Sequence, residues 1–169
     1  DFKTNEILEV SGFSYSAQQI ALAKFVSTYY FSSLGEALAL MIPYDTCIHS
    51  QSEFGNKEEL ESKITLSTKQ NKAFLFAQQH KTALIFGDTG SGKTEIYMKY
   101  FEQMIAQGKR SIFLMPEISL TPQMSKRLEE HFGEKVVMWH SKLTPLQKRK
   151  SLEKIYDGTA YIVAGPRSA

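Results

Sequence analysis

A single cysteine, Cys47, stands in 169 residues. One thiol closes no intrachain disulfide and by itself holds no structural zinc, so the expected role of Cys47 is that of a small packed side chain. Long apolar runs are missing too. No stretch approaches the roughly 20 residues needed to cross a bilayer. The start, Asp1-Phe2-Lys3, does not resemble a secretory leader, so a cytoplasmic protein away from the membrane is the expectation. Acidic residues are scarce in one part only. Residues 1–64 hold 4 Lys and Arg against 9 Asp and Glu, whereas residues 65–169 hold 16 against 9. A basic second part favours a polyanionic partner, nucleic acid first, although scattered surface lysines give the same balance in ordinary enzymes. The apolar share of 42% and the charged share of 22% are those of a globular chain able to build a core.

What is present is concentrated at 87–94, which read Gly-Asp-Thr-Gly-Ser-Gly-Lys-Thr. The apolar run Thr82-Ala83-Leu84-Ile85-Phe86 precedes them and a segment with helical periodicity follows, so this is a P-loop in strand–loop–helix context. Gly87, Thr89, Gly90, Ser91 and Gly92 leave room for backbone N–H groups to turn inward. The helix starting near Lys93 adds the positive end of its dipole to that cradle. Nucleotide phosphates are the expected ligand, with Lys93 reaching them as a point charge and the hydroxyl of Thr94 taking one position on Mg²⁺. A chance Gly-rich turn is the bland alternative, and the context disfavours it.

Upstream, Ile20, Ala23, Val26 and Tyr30, then Leu34, Ala37, Leu38 and Met41, keep helical spacing around an interruption at 31–33. This predicts two helices bent near Ser33, capped by Ser14 or Ser16 and ended by Pro43. Phe25, Tyr29, Tyr30 and Phe31 read as packing groups ahead of base-stacking ones. Residues 44–64 turn polar and acidic and read as a linker. Beyond them, helices are expected at 68–79, 93–106, 122–131 and 145–156, and strands at 82–86, 111–115, 136–139 and 160–164. Alternation of this kind implies an α/β fold with a parallel sheet covered on both faces. Right-handed crossovers gather the loops that follow the strands along one ligand edge.

Three further groups lie beside those strands. Gln70 carries an amide able to read an adenine edge, or is simply a surface glutamine. Thr121 as N-cap with Pro122 at the first helical position marks a second anion site, where Ser119, Thr121 and Gln123 suit a nucleic-acid phosphate, though simple capping explains the pair as well. Arg167 and Ser168 close the last strand, where Arg167 can clamp a phosphate with its planar fork. His140 reads as packed or surface rather than as a base. Lys148, Arg149 and Lys150 read as a solvated basic patch.

The blocks Thr-Gly-Ser-Gly-Lys-Thr-Glu-Ile-Tyr at 89–97, Pro-Glu-Ile-Ser-Leu-Thr-Pro-Gln at 116–123, His140-Ser141 and Gly-Pro-Arg-Ser-Ala at 165–169 together resemble the PriA family of primosomal replication-restart helicases. The first two are specific to that family rather than general to P-loop proteins. The likeness is close over 65–169. Phe25 to Pro43, with Tyr29-Tyr30 and Leu34-Gly35-Glu36, is similar to the helical end of that family's N-terminal DNA-binding region. The resemblance implies an ATP- and Mg²⁺-dependent superfamily 2 helicase that loads at abandoned forks, unwinds 3′-to-5′ and helps reload the replicative helicase. Its implied partners are single-stranded and forked DNA and other primosome proteins. It implies adenine recognition at 66–70, hence Gln70, and a grip on the single strand's backbone through 116–123 and 165–169. It also makes the sheet a P-loop RecA-like one, a partial first helicase lobe preceded by a small helical segment.

Departures from the family pattern bound these expectations. Pro166 stands where Thr is common, which removes a hydroxyl and an N–H at a presumed phosphate contact. The 44–64 linker is too short for the winged-helix domain of many members. The family's Asp-Glu-Glu-His motif, its zinc-binding cysteines and the second lobe's arginine finger are not in this sequence. The expectation is an excised piece: 1–43 the helical end of the DNA-binding region, 44–64 a linker, and 65–169 the first part of lobe 1. Zinc would belong to the parent and not to this piece, which would neither hydrolyse ATP above background nor unwind DNA. The alternatives are another superfamily 2 motor, such as a restriction translocase, or a non-catalytic module that binds nucleotide or docks a partner.

Overall fold

The computed structural model describes residues 15–41, 62, 64–116 and 122–167. Expectations on Ser14, Pro43, Cys47, most of the 44–64 linker, Ser119, Thr121 and Ser168 lie outside the described residues. The chain divides into two compact units, Asp1–Cys47 and Ile48–Ala169.

In the first unit, α1 (Ala17–Tyr30) and α2 (Leu34–Ala39) each open on a reciprocal cap. Gln19 N donates to Ser16 Oγ at 3.2 Å while Ser16 N donates to Gln19 Oε1 at 2.8 Å, and Ser33 and Glu36 repeat the arrangement. Phe31 adopts φ 54°, the left-handed cap conformation that breaks α1 from α2. Among the described residues of this unit only Ala23 and Ala37 are buried. Packing was the expectation for the aromatics, and the structure leaves Phe25, Tyr29, Tyr30 and Phe31 exposed. Three of them meet one another instead, Phe25 stacked on Tyr29 at 5.7 Å between ring centroids and Tyr29 edge-on to Tyr30 at 4.9 Å. The alanine seam between two short helices is too small to cover them.

The second unit runs α3 (Thr68–Gln79), α4 (Lys93–Ala106), β1 (Ser111–Met115), α5 (Pro122–Phe132), a 3₁₀ turn over Gly133–Lys135, β2 (Val136–Met138), α6 (Pro145–Tyr156) and β3 (Ile162–Pro166). Local signals place most of these boundaries. Ser67 and Gln70 form the reciprocal cap of α3, and Thr144 and Gln147 that of α6, where Pro145 occupies the first turn. Gly108, at φ 68°, turns the chain from α4 toward β1. The three strands are parallel in the order β1-β3-β2, with Ser111 opposite Ile162 and Val136 opposite the same residue. β3 thus starts two residues later than the pattern predicts. Met98, Phe101 and Ile105 of α4 join Leu128 and Phe132 of α5 and Ile162 and Ala164 of β3 in one core. Among the described residues no helix is long and apolar enough to cross a membrane.

Two expectations need correction. Thr82–Phe86 forms no strand: it finds no ladder partner among the described residues, and Leu84 and Phe86 are 88% and 92% exposed. A strand needs a neighbour to satisfy its backbone, and apolar composition alone supplies none. Nor is the sheet covered on both faces. Ile112 and Leu114, which share one face of β1 by the two-residue repeat, are exposed, while Phe113 is half-buried and Met115 is buried. A groove of about 360 Å³ is lined there by Ala83, Ile85, Tyr97, Phe101, Ile112 and Leu114 among others.

Candidate nucleotide and nucleic-acid site

The phosphate loop is shaped by its two left-handed glycines, Gly90 at φ 83° and Gly92 at φ 82°. Gly92 is the N-cap of α4 and offers no side chain to the first-turn N–H groups, which leaves them available to an anion. A Cβ on Gly92 would sit 2.2 Å from Gln70 Nε2, and one on Gly87 would sit 2.7 Å from Ser91 Oγ. At these two positions a side chain would run into Gln70 or Ser91, so glycine keeps the loop in its present shape beside the uncapped start of α4. Ser91 N donates to Asp88 O at 3.1 Å and fixes the turn between them. Lys93 Nζ donates to Gly87 O at 2.6 Å and Asp88 O at 2.8 Å, which holds the ammonium at the loop. Thr94 is half-buried on the first turn of α4, and Thr89 and Ser91 are exposed at the loop's rim.

Gln70 is drawn into this loop from α3. Its Oε1 accepts from Ser67 N at 2.8 Å and its Nε2 donates to Gly92 O at 3.1 Å. A carboxamide has two lone pairs and two N–H bonds, so one acceptor position and one donor position are still uncommitted. The residue ties the start of α3 to the exit of the phosphate loop, a contact across 22 positions that no local pattern announces.

The ligand edge forms where the strands end. Met115 pairs with Pro166 and Met138 with Ala164, so Pro116, Trp139 and Arg167 follow on one edge. Trp139 N donates to Ala164 O at 2.7 Å, and a Cβ on Gly165 would lie 2.0 Å from Trp139 O, so glycine is required for β2 and β3 to meet. Arg167 and Gln123 are exposed. His140 is half-buried and its Nδ1 has no hydrogen-bond partner. Of the α6 basic patch, Lys148 lies over the Trp139 ring at 5.9 Å and Arg149 pairs with Glu153 at 3.2 Å.

Two ionic groupings escaped the sequence reading. Arg127 of α5 donates to Glu95 of α4 at 2.6 Å, one residue past Thr94. Farther along α4, buried Glu102 accepts from Ser62 at 2.7 Å, Lys99 at 3.0 Å and His131 at 2.8 Å. Burial pushes the Glu102 carboxyl up, but these three hydrogen bonds outweigh it and hold it below the usual glutamate value.

Residues 67–169 match the DEAD/DEAH box helicase family. The chain belongs to that family. Within it, the likeness to PriA read from the motifs holds over most of the length. The replication restart protein PriA of Helicobacter pylori is 43% identical over 152 residues, covering 89% of this chain and 24% of that protein. The protein of the same name from Bacillus subtilis is 43% identical over 112 residues, 63% of this chain and 14% of its own length. The one from Rickettsia conorii is 31% identical over 170 residues, 99% of this chain and 26% of its own length. This DEAD/DEAH box helicase chain thus spans about a quarter of the length of the first of these relatives. Its α/β architecture with a parallel sheet is that of a partial RecA-like helicase lobe.

Proposed function

We propose that this chain is the nucleotide-binding part of a replication-restart DNA helicase of PriA type, coupling ATP and Mg²⁺ to 3′-to-5′ movement on DNA. The observation that carries the reading is the phosphate loop itself: two left-handed glycines, a lysine held at the loop and a glutamine of α3 anchored to its last carbonyl. In this reading Lys93 exchanges its carbonyl partners for phosphate oxygens, which are stronger acceptors because they are charged. Thr94 offers its hydroxyl to Mg²⁺, and the uncommitted half of the Gln70 amide meets the adenine edge. Gln123 and Arg167, with Ser119, Thr121 and Ser168, contact the single strand's backbone. The same reading takes 1–43 as the helical end of a DNA-binding region, 44–64 as linker and 65–169 as part of lobe 1. Forked DNA and primosome proteins are its partners, the cytoplasm its compartment, and zinc belongs to the longer protein. ATP turnover by these residues alone stays at background.

Equilibrium binding of a fluorescent ADP analogue with Mg²⁺ tests the loop: Lys93→Ala is expected to abolish it. Single-stranded DNA binding titrated against salt tests the edge. A steep salt dependence weakened by Arg167→Ala is the expected result, whereas salt-insensitive or absent binding favours a module that docks another protein. ATP turnover well above background and abolished by Lys93→Ala would overturn the claim of inactivity.

A further inference from the structure

We infer that Arg127 is a positioning residue for the phosphate loop, acting through Glu95; the inference rests on the nucleotide reading above. Glu95 is the third residue of α4, and its Oε2 lies 3.1 Å from where a Cβ on Gly92 would stand, so its carboxylate leans back over the turn that closes the loop. A carboxylate there is favoured by the helix dipole. It is also a negative charge beside the place where phosphates bind, and like charges at close range repel. Arg127 answers both needs. Its guanidinium donates to Glu95 Oε1 at 2.6 Å from α5, fixing the carboxylate's orientation and offsetting its charge. The hydrogen bond from Arg127 also holds the Glu95 carboxyl below the usual glutamate value, so the group stays ionised and needs its partner at neutral pH.

The arrangement joins a second one at the same turn, where Gln70 Nε2 holds Gly92 O. The exit of the phosphate loop is therefore tied to α3 by an amide, and the first turn of α4 that follows it is tied to α5 by an ion pair. Without Arg127, Glu95 is a free anion able to swing toward the phosphates. Because the Arg127 and Glu95 side chains are 47% and 30% exposed, solvent screens the pair and its effect depends on salt.

The test is affinity for a fluorescent ADP analogue with Mg²⁺, at low and at high salt, in the unaltered chain and in Arg127→Ala, Arg127→Lys, Glu95→Gln and the Arg127→Ala/Glu95→Gln pair. Arg127→Ala is expected to weaken binding about three- to fivefold at low salt and by less at high salt, the scale of a partly exposed charge pair. Glu95→Gln alone binds at least as well as the unaltered chain. The double variant returns to the Glu95→Gln value, and Arg127→Lys, which keeps the charge, retains most of the affinity. A double variant as weak as Arg127→Ala, or a loss independent of salt, overturns the inference. So does an unchanged affinity in Arg127→Ala with its circular dichroism intact. Failure of the unaltered chain to bind the analogue overturns the nucleotide reading itself, which separates the two outcomes.

Discussion

At the scale of single residues, the phosphate loop shows why a motif is made of the residues it has. Gly92 combines a left-handed backbone, which costs a side-chain-bearing residue free energy, with a neighbour so close that a methyl group overlaps it. Gly90 has the same backbone but nothing within 4 Å of its missing Cβ, so only conformation demands glycine there. The two positions therefore differ in their expected sensitivity. Gly92→Ala should lower affinity for an ADP analogue by about tenfold or more and destabilise the fold by about 1–3 kcal/mol, with Gly90→Ala milder in both. Isothermal calorimetry and thermal unfolding on the two variants check the order; equal effects would mean that the Gln70 contact is unimportant.

At the scale of elements, α4 is the organiser. Its first turn carries the phosphate loop, its apolar stripe enters the core, and Glu102 on the same helix gathers Ser62, Lys99 and His131. A buried carboxylate survives in such a place only because its partners satisfy it. Its folded value lies below the ordinary 4.5, so the stability it contributes is present above 4.5 and is lost as pH falls below it. Melting temperature measured from neutral pH into acid should fall more steeply in the unaltered chain than in Glu102→Gln. At neutral pH the variant should be less stable by about 2–3 kcal/mol, since it leaves Lys99 and His131 without their acceptor charge. Parallel acid profiles would show that the network makes no net contribution.

At the scale of the second unit, the three-stranded sheet has β1 as an outer strand with no further partner among the described residues, and Ile112 and Leu114 of β1 are exposed. Unpaired edges with apolar side chains favour association with other chains. Sedimentation velocity over a range of concentrations should show reversible self-association that Ile112→Lys reduces, because a lysine on an exposed strand edge opposes pairing. A monomer at every concentration would sink this expectation. Much of the architecture and of the site can be read along the chain. The caps at Ser16, Ser33, Ser67 and Thr144, the proline starts of α5 and α6, the glycine turns and the P-loop all act within a few residues, so the sequence by itself determined where most elements begin and where the glycine-rich loop turns into α4. Tertiary structure alone decided what depends on distant neighbours. It left Thr82–Phe86 without a ladder partner among the described residues, bared the aromatics of α1, and brought Gln70 to Gly92, Arg127 to Glu95 and His131 to Glu102. The physical reason is range: capping and turn formation are set by adjacent backbone, whereas strand pairing, burial and ion pairing across 20 or more positions wait on which surfaces the fold brings together.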